Sequence, residues 1–257
     1  MTDGPVALVT GGGNGIGLAC VRRLADDGYR VVVADVAEDA GRQAEAEIPR
    51  TQFIRCDVTN SKDLRRVAAK AVELGDGRLH ALVNNAGRTS RTTFAECDEQ
   101  AWRELHAVNL DSVHALTRAC LPALRAARGA VVSLASAAGL IGTEGLAAYS
   151  STKAAIIALT RSLALEHGDT VRFNAVCPGD IETAMMNRIL ADAHLRNAML
   201  ERIPAGRFGQ PEEVANVIVW LLSDQASYVN GVALPVDGGL TAGLRDVKLS
   251  SALDRNP

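Results

Sequence analysis

Two kinds of apolar pattern alternate along this chain. Short, almost uninterrupted apolar runs rich in β-branched residues predict buried strands over Val6 to Val9, Arg30 to Ala34, Gln52 to Arg55, His80 to Val83, Ala130 to Leu134, Val171 to Val176 and Val232 to Val236. Between them lie longer segments in which apolar residues recur every three or four positions. These predict helices over Ile16 to Asp26, Ala37 to Ile48, Ser61 to Leu74, Glu99 to Ala126, Ala148 to Glu166 and Glu213 to Leu222. The stop signals agree: Gly28 follows the first helix, Pro49 the second, and Asn60 or Ser61 can cap the third.

Strands apolar on both faces, each joined to the next by a helix, imply a parallel sheet covered on both sides. With right-handed crossovers this is an α/β chain of three layers, a doubly wound Rossmann-like sheet of about seven strands. No linker, repeat or low-complexity stretch divides it, so residues 1–257 read as one domain. Two stretches fall outside the rhythm. Residues 180–209 carry two short helical patterns with Met185, Met186, Ile189, Leu190, Met199 and Leu200, just after a strand end where a lid is placed. The tail over 240–257 is polar and weakly patterned.

Composition narrows the function classes. Apolar residues make up 47% and charged residues 22%, as in ordinary globular proteins. A net charge of −3 gives no electrostatic reason to expect nucleic acid or an anionic membrane as partner. No apolar run has the length of a membrane span, and the N-terminus lacks the basic and apolar regions of a signal peptide. The five cysteines are scattered without a C-x-x-C pair and the five histidines form no ligand cluster, which predicts a cytoplasmic protein and no metal site.

The first predicted strand runs into Thr10-Gly11-Gly12-Gly13-Asn14-Gly15-Ile16-Gly17, which opens a helix. A strand, a glycine turn and a helix N-terminus make a pyrophosphate site, because N–H groups and the positive dipole end meet the anion. The spacing is G-x-x-x-G-x-G, on Gly11, Gly15 and Gly17, not G-x-G-x-x-G. Asp35 ends the second strand, twenty residues beyond Gly15, where an acid accepts from ribose hydroxyls and repels a 2′-phosphate. Neither Asn14 nor Val36 supplies a cation for such a phosphate, so NAD is expected over NADP. Asp57-Val58 and Asn84-Asn85-Ala86-Gly87 follow the third and fourth strands at the same ligand-binding edge.

Tyr149 and Lys153 sit four apart near the start of a helix, and so on one face. An ammonium beside a phenol lowers its pKa and suits it to acid/base work. Together with Thr10-Gly11, Gly15-Ile16-Gly17, Asn84 to Gly87, Asn109, Ser136 and Pro178-Gly179…Thr183, this chain resembles the short-chain dehydrogenase/reductase family from Val6 to about Gly239. The resemblance implies a catalytic tetrad of Asn109, Ser136, Tyr149 and Lys153. Ser136 would bind the substrate oxygen and Tyr149 would be the acid/base. Lys153 would lower the phenol pKa and hold the nicotinamide ribose, and Asn109 would anchor a water that relays the proton. It also implies a nicotinamide carboxamide held by Ile181 and Thr183 after Pro178-Gly179, and a homo-oligomer, a tetramer or else a dimer.

The expected reaction is NAD-dependent interconversion of a secondary alcohol and a ketone on a small molecule: a polyol, hydroxy acid or cyclic alcohol. Its pocket would be lined by Ala138, Gly142, Glu144, Met185, Met186 and Arg188, with Arg88 and Arg91 as further cations. The rival reading is a catalytically silent NAD-binding sensor on the same fold, which has no need of a complete tetrad. Ser150-x-x-Lys153 also fits a serine acyl-enzyme pattern, but S-D-N, K-T-G and G-x-S-x-G elements are missing.

Overall fold

A computed structural model describes residues 4–187 and 191–243. Seven strands, β1 (Val6–Thr10), β2 (Arg30–Asp35), β3 (Thr51–Arg55), β4 (Ala81–Asn84), β5 (Ala130–Leu134), β6 (Arg172–Pro178) and β7 (Ala233–Val236), form one parallel sheet in the order β3-β2-β1-β4-β5-β6-β7. The helices are α1 (Gly15–Asp26), α2 (Glu38–Glu47), α3 (Ser61–Leu74), α4 (Glu99–His106), α5 (Ser112–Ala127), α6 (Ala147–His167), α7 (Ala193–Leu200) and α8 (Pro211–Leu222).

Successive strand residues feed opposite layers. Ala7, Val9, Val31 and Val33 meet α1 and α8 through Cys20, Leu24, Val214 and Ile218. Val6, Leu8, Val32 and Leu82 meet α3 and α5 through Leu64, Val67, Leu116 and Leu124. This is why the strand sequences are apolar without alternation: each residue has a core on its own side. β7 closes one edge, where Pro235 is tolerated because β7 pairs only with β6. The chain leaves β1 toward β2 on one side and reaches β4 on the other, so a crevice opens between the carboxyl ends of β1 and β4.

Two expectations need correction. The predicted helix over Glu99 to Ala126 is interrupted: α4 ends at His106 and a wide π turn, Ala107–Asp111, precedes α5. No Gly or Pro marks this break in the sequence; the buried Asn109 marks it, through partners described below. β1 and β4 also run one residue past their predicted apolar stretches, to Thr10 and Asn84. Those polar ends belong to the ladder and face the crevice edge. Within the lid, Met186 packs with Ile203 and Phe208 in a small core, while Met185 stays exposed. Arg188, Ile189, Leu190 and tail residues 244–257 lie outside the described residues.

Candidate active site

The glycine loop is tied down from both sides. Gly11 N–H donates to the Ala34 carbonyl at 2.7 Å, and Gly13 N–H donates to Asp35 Oδ2 at 2.9 Å. From β4, the Asn85 side-chain amide donates to the Thr10 and Gly11 carbonyls, each at 2.9 Å, while Thr10 Oγ1 accepts from the N–H groups of Asn85 and Ala86. A Cβ on Gly17 would fall 2.0 Å from the Gly11 carbonyl oxygen, so the loop closes on α1 only with glycine there. Asn14 precedes the helix in an extended conformation and its side chain does not cap it. The first-turn N–H groups, which have no acceptor inside a helix, are thereby left for a ligand.

Across this loop lies Thr183: a Cβ on Gly15 would come within 3.2 Å of its methyl group. Ile181 beside it is buried and bridged to Gly209. Pro178 and Gly179 lead in from β6, with Gly179 packed so close to Asp237 that a Cβ would fall 2.8 Å from its Cα. Asp35 uses one oxygen on Gly13 and the other on the Ala37 N–H at 2.9 Å, and each oxygen keeps a lone pair for a further donor. Val36 beside it is 57% exposed and apolar. Asp57 is engaged in its own turn, accepting from Thr59 N–H and Oγ1, which hold its carboxyl below the usual range. Val58 packs against the core. The loop, the uncapped helix start and the acid fit a dinucleotide laid across the crevice.

Ser136, Tyr149 and Lys153 meet at the carboxyl end of β5. Burial pushes the Tyr149 phenol up, and its hydrogen bond with Ser136 pulls it down. Ser136 Oγ also accepts from the Ala138 N–H at 3.1 Å. Lys153 is 4% exposed, with Nζ 5.7 Å from the Tyr149 ring centroid and donating to the Leu134 carbonyl at 2.7 Å. Its desolvation lowers the ammonium to about 8. Burial dominates at both groups: it raises the phenol and, with Lys153 lying over the ring face, destabilises the ammonium as a cation. Cys177, close enough to feel Lys153 and the Ser136 N–H, is held neutral by burial at about 11.

Asn109 is wholly buried in the π turn. Its Oδ1 accepts from the Arg88 N–H and its Nδ2 donates to the Arg88 carbonyl, both at 2.9 Å, and to Thr152 Oγ1 at 3.3 Å. It clamps the loop after β4, and Gly87 lies between it and Lys153: a Cβ there would stand 3.4 Å from Asn109 Oδ1 and 3.5 Å from Lys153 Nζ. Both Nδ2 hydrogens are used, and Oδ1 keeps a second lone pair as an acceptor position. Asn109→Leu should leave both Arg88 backbone groups unpaired and lower unfolding stability by about 2 kcal/mol in urea denaturation; an unchanged midpoint would refute the clamp.

Of the expected pocket residues, Ala138 sits beside Ser136, while Gly142 and Glu144 lie on an exposed loop. Arg91 Nη1 donates to the Glu144 carbonyl at 3.4 Å, so that loop is latched to the one after β4. Arg88 instead pairs with Glu104 at 3.1 Å. Thr152, the Leu134 carbonyl and the Arg88 backbone carry no local signal, because each acts through a contact made only in the fold.

A family model described as enoyl-(acyl carrier protein) reductase matches residues 11–241. Meso-2,3-butanediol dehydrogenase of Serratia marcescens is 39% identical over 243 residues, covering 93% of this chain and 96% of the relative. The chain belongs to the short-chain dehydrogenase/reductase family. L-Fucose dehydrogenase of Bos taurus is 39% identical over 247 residues, covering 93% of this chain and 90% of that protein. The crystal structure of gox2181 superposes with a TM-score of 0.90 at 33% identity, over 94% of this chain and 97% of that one. This chain is accordingly an oxidoreductase whose family uses NAD or NADP. Among the described residues no helix is long and apolar enough to cross a membrane, and no group of three or more His, Cys, Asp or Glu residues could hold a metal ion.

Proposed function

We propose that the protein is an NAD-dependent dehydrogenase that interconverts a secondary alcohol and a ketone on a small molecule. The observation that carries this is the meeting of Ser136, Tyr149 and buried Lys153 at the carboxyl end of β5, beside Gly87. A bound nicotinamide supplies the hydride acceptor. Ser136 Oγ holds the alcohol oxygen and Tyr149 takes its proton. Lys153 steadies the charge that develops on the phenol and holds ribose hydroxyls, and Asn109 fixes the loop that carries Gly87. NADH formation on a panel of polyols, hydroxy acids and cyclic alcohols tests the reading. NAD binding without turnover of any of them would turn it toward the sensor alternative.

Oxidation requires the ionised phenol, and burial holds Tyr149 above its ordinary value of about 10. The kcat/KM for oxidation should therefore keep rising from about pH 7 to pH 9, while reduction, which uses the protonated phenol, changes little. An oxidation profile flat over that span would contradict Tyr149 as the base.

NAD preference rests on Asp35, held by Gly13 and Ala37 at the ribose end with apolar Val36 beside it. Asp35→Ser should lower kcat/KM for NAD about tenfold and raise that for NADP, because a carboxylate near a 2′-phosphate is repulsive. A preference unmoved in steady-state assays with both cofactors would remove this role. We read the protein as a cytoplasmic homo-oligomer, a tetramer or a dimer. Five unpaired cysteines and exposed Leu165, Trp220 and Tyr228 support that reading, and light scattering tests the assembly.

A further inference from the structure

Thr152 stands between Tyr149 and Lys153 on α6 and is wholly buried. Its Oγ1 donates to the Tyr149 carbonyl at 2.7 Å and accepts from Asn109 Nδ2 at 3.3 Å. The first bond is one that any helical threonine can make to a carbonyl three residues back. Ser151 makes the same kind of bond, to the Ala148 carbonyl at 2.8 Å, and among the described residues no other element donates to its hydroxyl. The second bond sets Thr152 apart. It comes from a side chain 43 residues earlier, in the π turn where Asn109 is wholly buried.

The helix start needs such a hold. Tyr149 lies in the first turn of α6, and Leu146 before that turn supplies no side-chain cap. An uncapped first turn is the part of a helix that frays most readily. Further along, α6 is held by packing: a Cβ on Gly139, in the turn after Ser136, would fall 2.8 Å from the Lys153 carbonyl carbon and 3.0 Å from the Ala154 nitrogen. Among the described residues, the Tyr149 backbone is tied to a neighbouring element only through Thr152. The tie leads on through Asn109 to both backbone groups of Arg88. Arg88 follows Gly87, where a Cβ would stand 3.5 Å from Lys153 Nζ. The contacts thus form a closed circuit around the phenol and the ammonium.

We propose that Thr152 is a positioning residue that stands in for the missing helix cap. Its hydroxyl carries the hold of Asn109 to the Tyr149 carbonyl, and so fixes the phenol against Ser136, Lys153 and the loop of Gly87. Thr152 itself moves no proton. This rests on the dehydrogenase reading above and adds a residue to its machinery. Displacing a reacting group by about 1 Å costs on the order of 100-fold in rate, so a loosened first turn lowers kcat and spares binding.

The test follows NADH formation from meso-butane-2,3-diol, lactate and cyclopentanol in wild-type protein, Thr152→Val and Thr152→Ser. Titration with NADH reads the cofactor site, and urea unfolding reads the fold. Valine keeps the branched shape and removes the hydroxyl; serine keeps the hydroxyl and removes the methyl. Thr152→Val should lower kcat about 10- to 30-fold, with KM for the alcohol and the affinity for NADH within about threefold of wild type. Thr152→Ser should keep kcat within about threefold, because the hydroxyl that joins Asn109 to Tyr149 is retained. A merely structural threonine would lower the urea midpoint of the valine variant and leave kcat per NADH-binding site unchanged, which would overturn the inference. So would a serine variant as slow as valine, which assigns the effect to the methyl, or a loss seen in KM or NADH affinity instead of kcat. Should the valine variant fail to fold, Thr152→Ala, which leaves room beside Asn109, is held to the same outcomes. Wild-type protein that binds NAD and oxidises none of the three alcohols would overturn the dehydrogenase reading itself, and this inference with it.

Discussion

Tyr149→Phe is expected to lower kcat for alcohol oxidation by at least about 1,000-fold while leaving the affinity for NADH within about threefold of wild type. The substitution removes one oxygen. It keeps the ring that lies under Lys153 Nζ at 5.7 Å, and it leaves the Lys153 bond to the Leu134 carbonyl untouched. Ser136 loses its phenol partner but retains the Ala138 N–H. The cofactor crevice is held by Thr10, Asn85 and Asp35, none of which touches the phenol oxygen. A lost general base costs about 100- to 10,000-fold, and an effect confined to kcat marks a group used in the transition state and not in binding. Stopped-flow turnover alongside a fluorescence titration with NADH separates the two. Activity within tenfold of wild type would assign the proton transfer to another group.

The second large effect is expected at Gly17. Alanine there would place a methyl group 2.0 Å from the Gly11 carbonyl oxygen and 2.5 Å from Asn85 Nδ2. The first neighbour is backbone, held by the Gly11 N–H bond to Ala34, and the second is an amide already donating to two carbonyls. Neither can yield without breaking the links that join the ends of β1 and β4. Overpacking of this kind costs about 1–3 kcal/mol, with more from each buried hydrogen bond lost. Gly17→Ala should therefore unfold at a urea midpoint lower by the equivalent of about 3 kcal/mol. It should also bind NADH at least about 100-fold more weakly, because the N–H groups at the start of α1 no longer converge. Wild-type affinity in calorimetry would show that the loop has slack absent from this packing.

These two sites were legible in the sequence to different depths. The glycine loop was readable because a positive-φ turn between a buried strand and a helix admits few residues: Gly11 and Gly15, at φ of 63° and 52°, are such positions. The pairing of Tyr149 with Lys153 followed from helical spacing alone. The balance of charge within that pair was not readable. Spacing brings the ammonium to the ring but says nothing of water, and it is the loss of water that lowers Lys153 to about 8 and raises the phenol. Asn109 is reached in the sequence only through the resemblance. Its role as a clamp depends on the backbone of Arg88, which arrives in the loop after β4.

The parallel sheet, the crevice at its carboxyl edge and the residue types gathered there are all readable from the chain's own pattern. Each of these depends on local periodicity and on how much apolar surface a segment must bury. Packing between distant elements set the π turn at Asn109, the burial of Met186 with Ile203 and Phe208, and the pairing of Arg88 with Glu104. These depend on which groups meet across elements far apart in the chain, and on how much water remains between them.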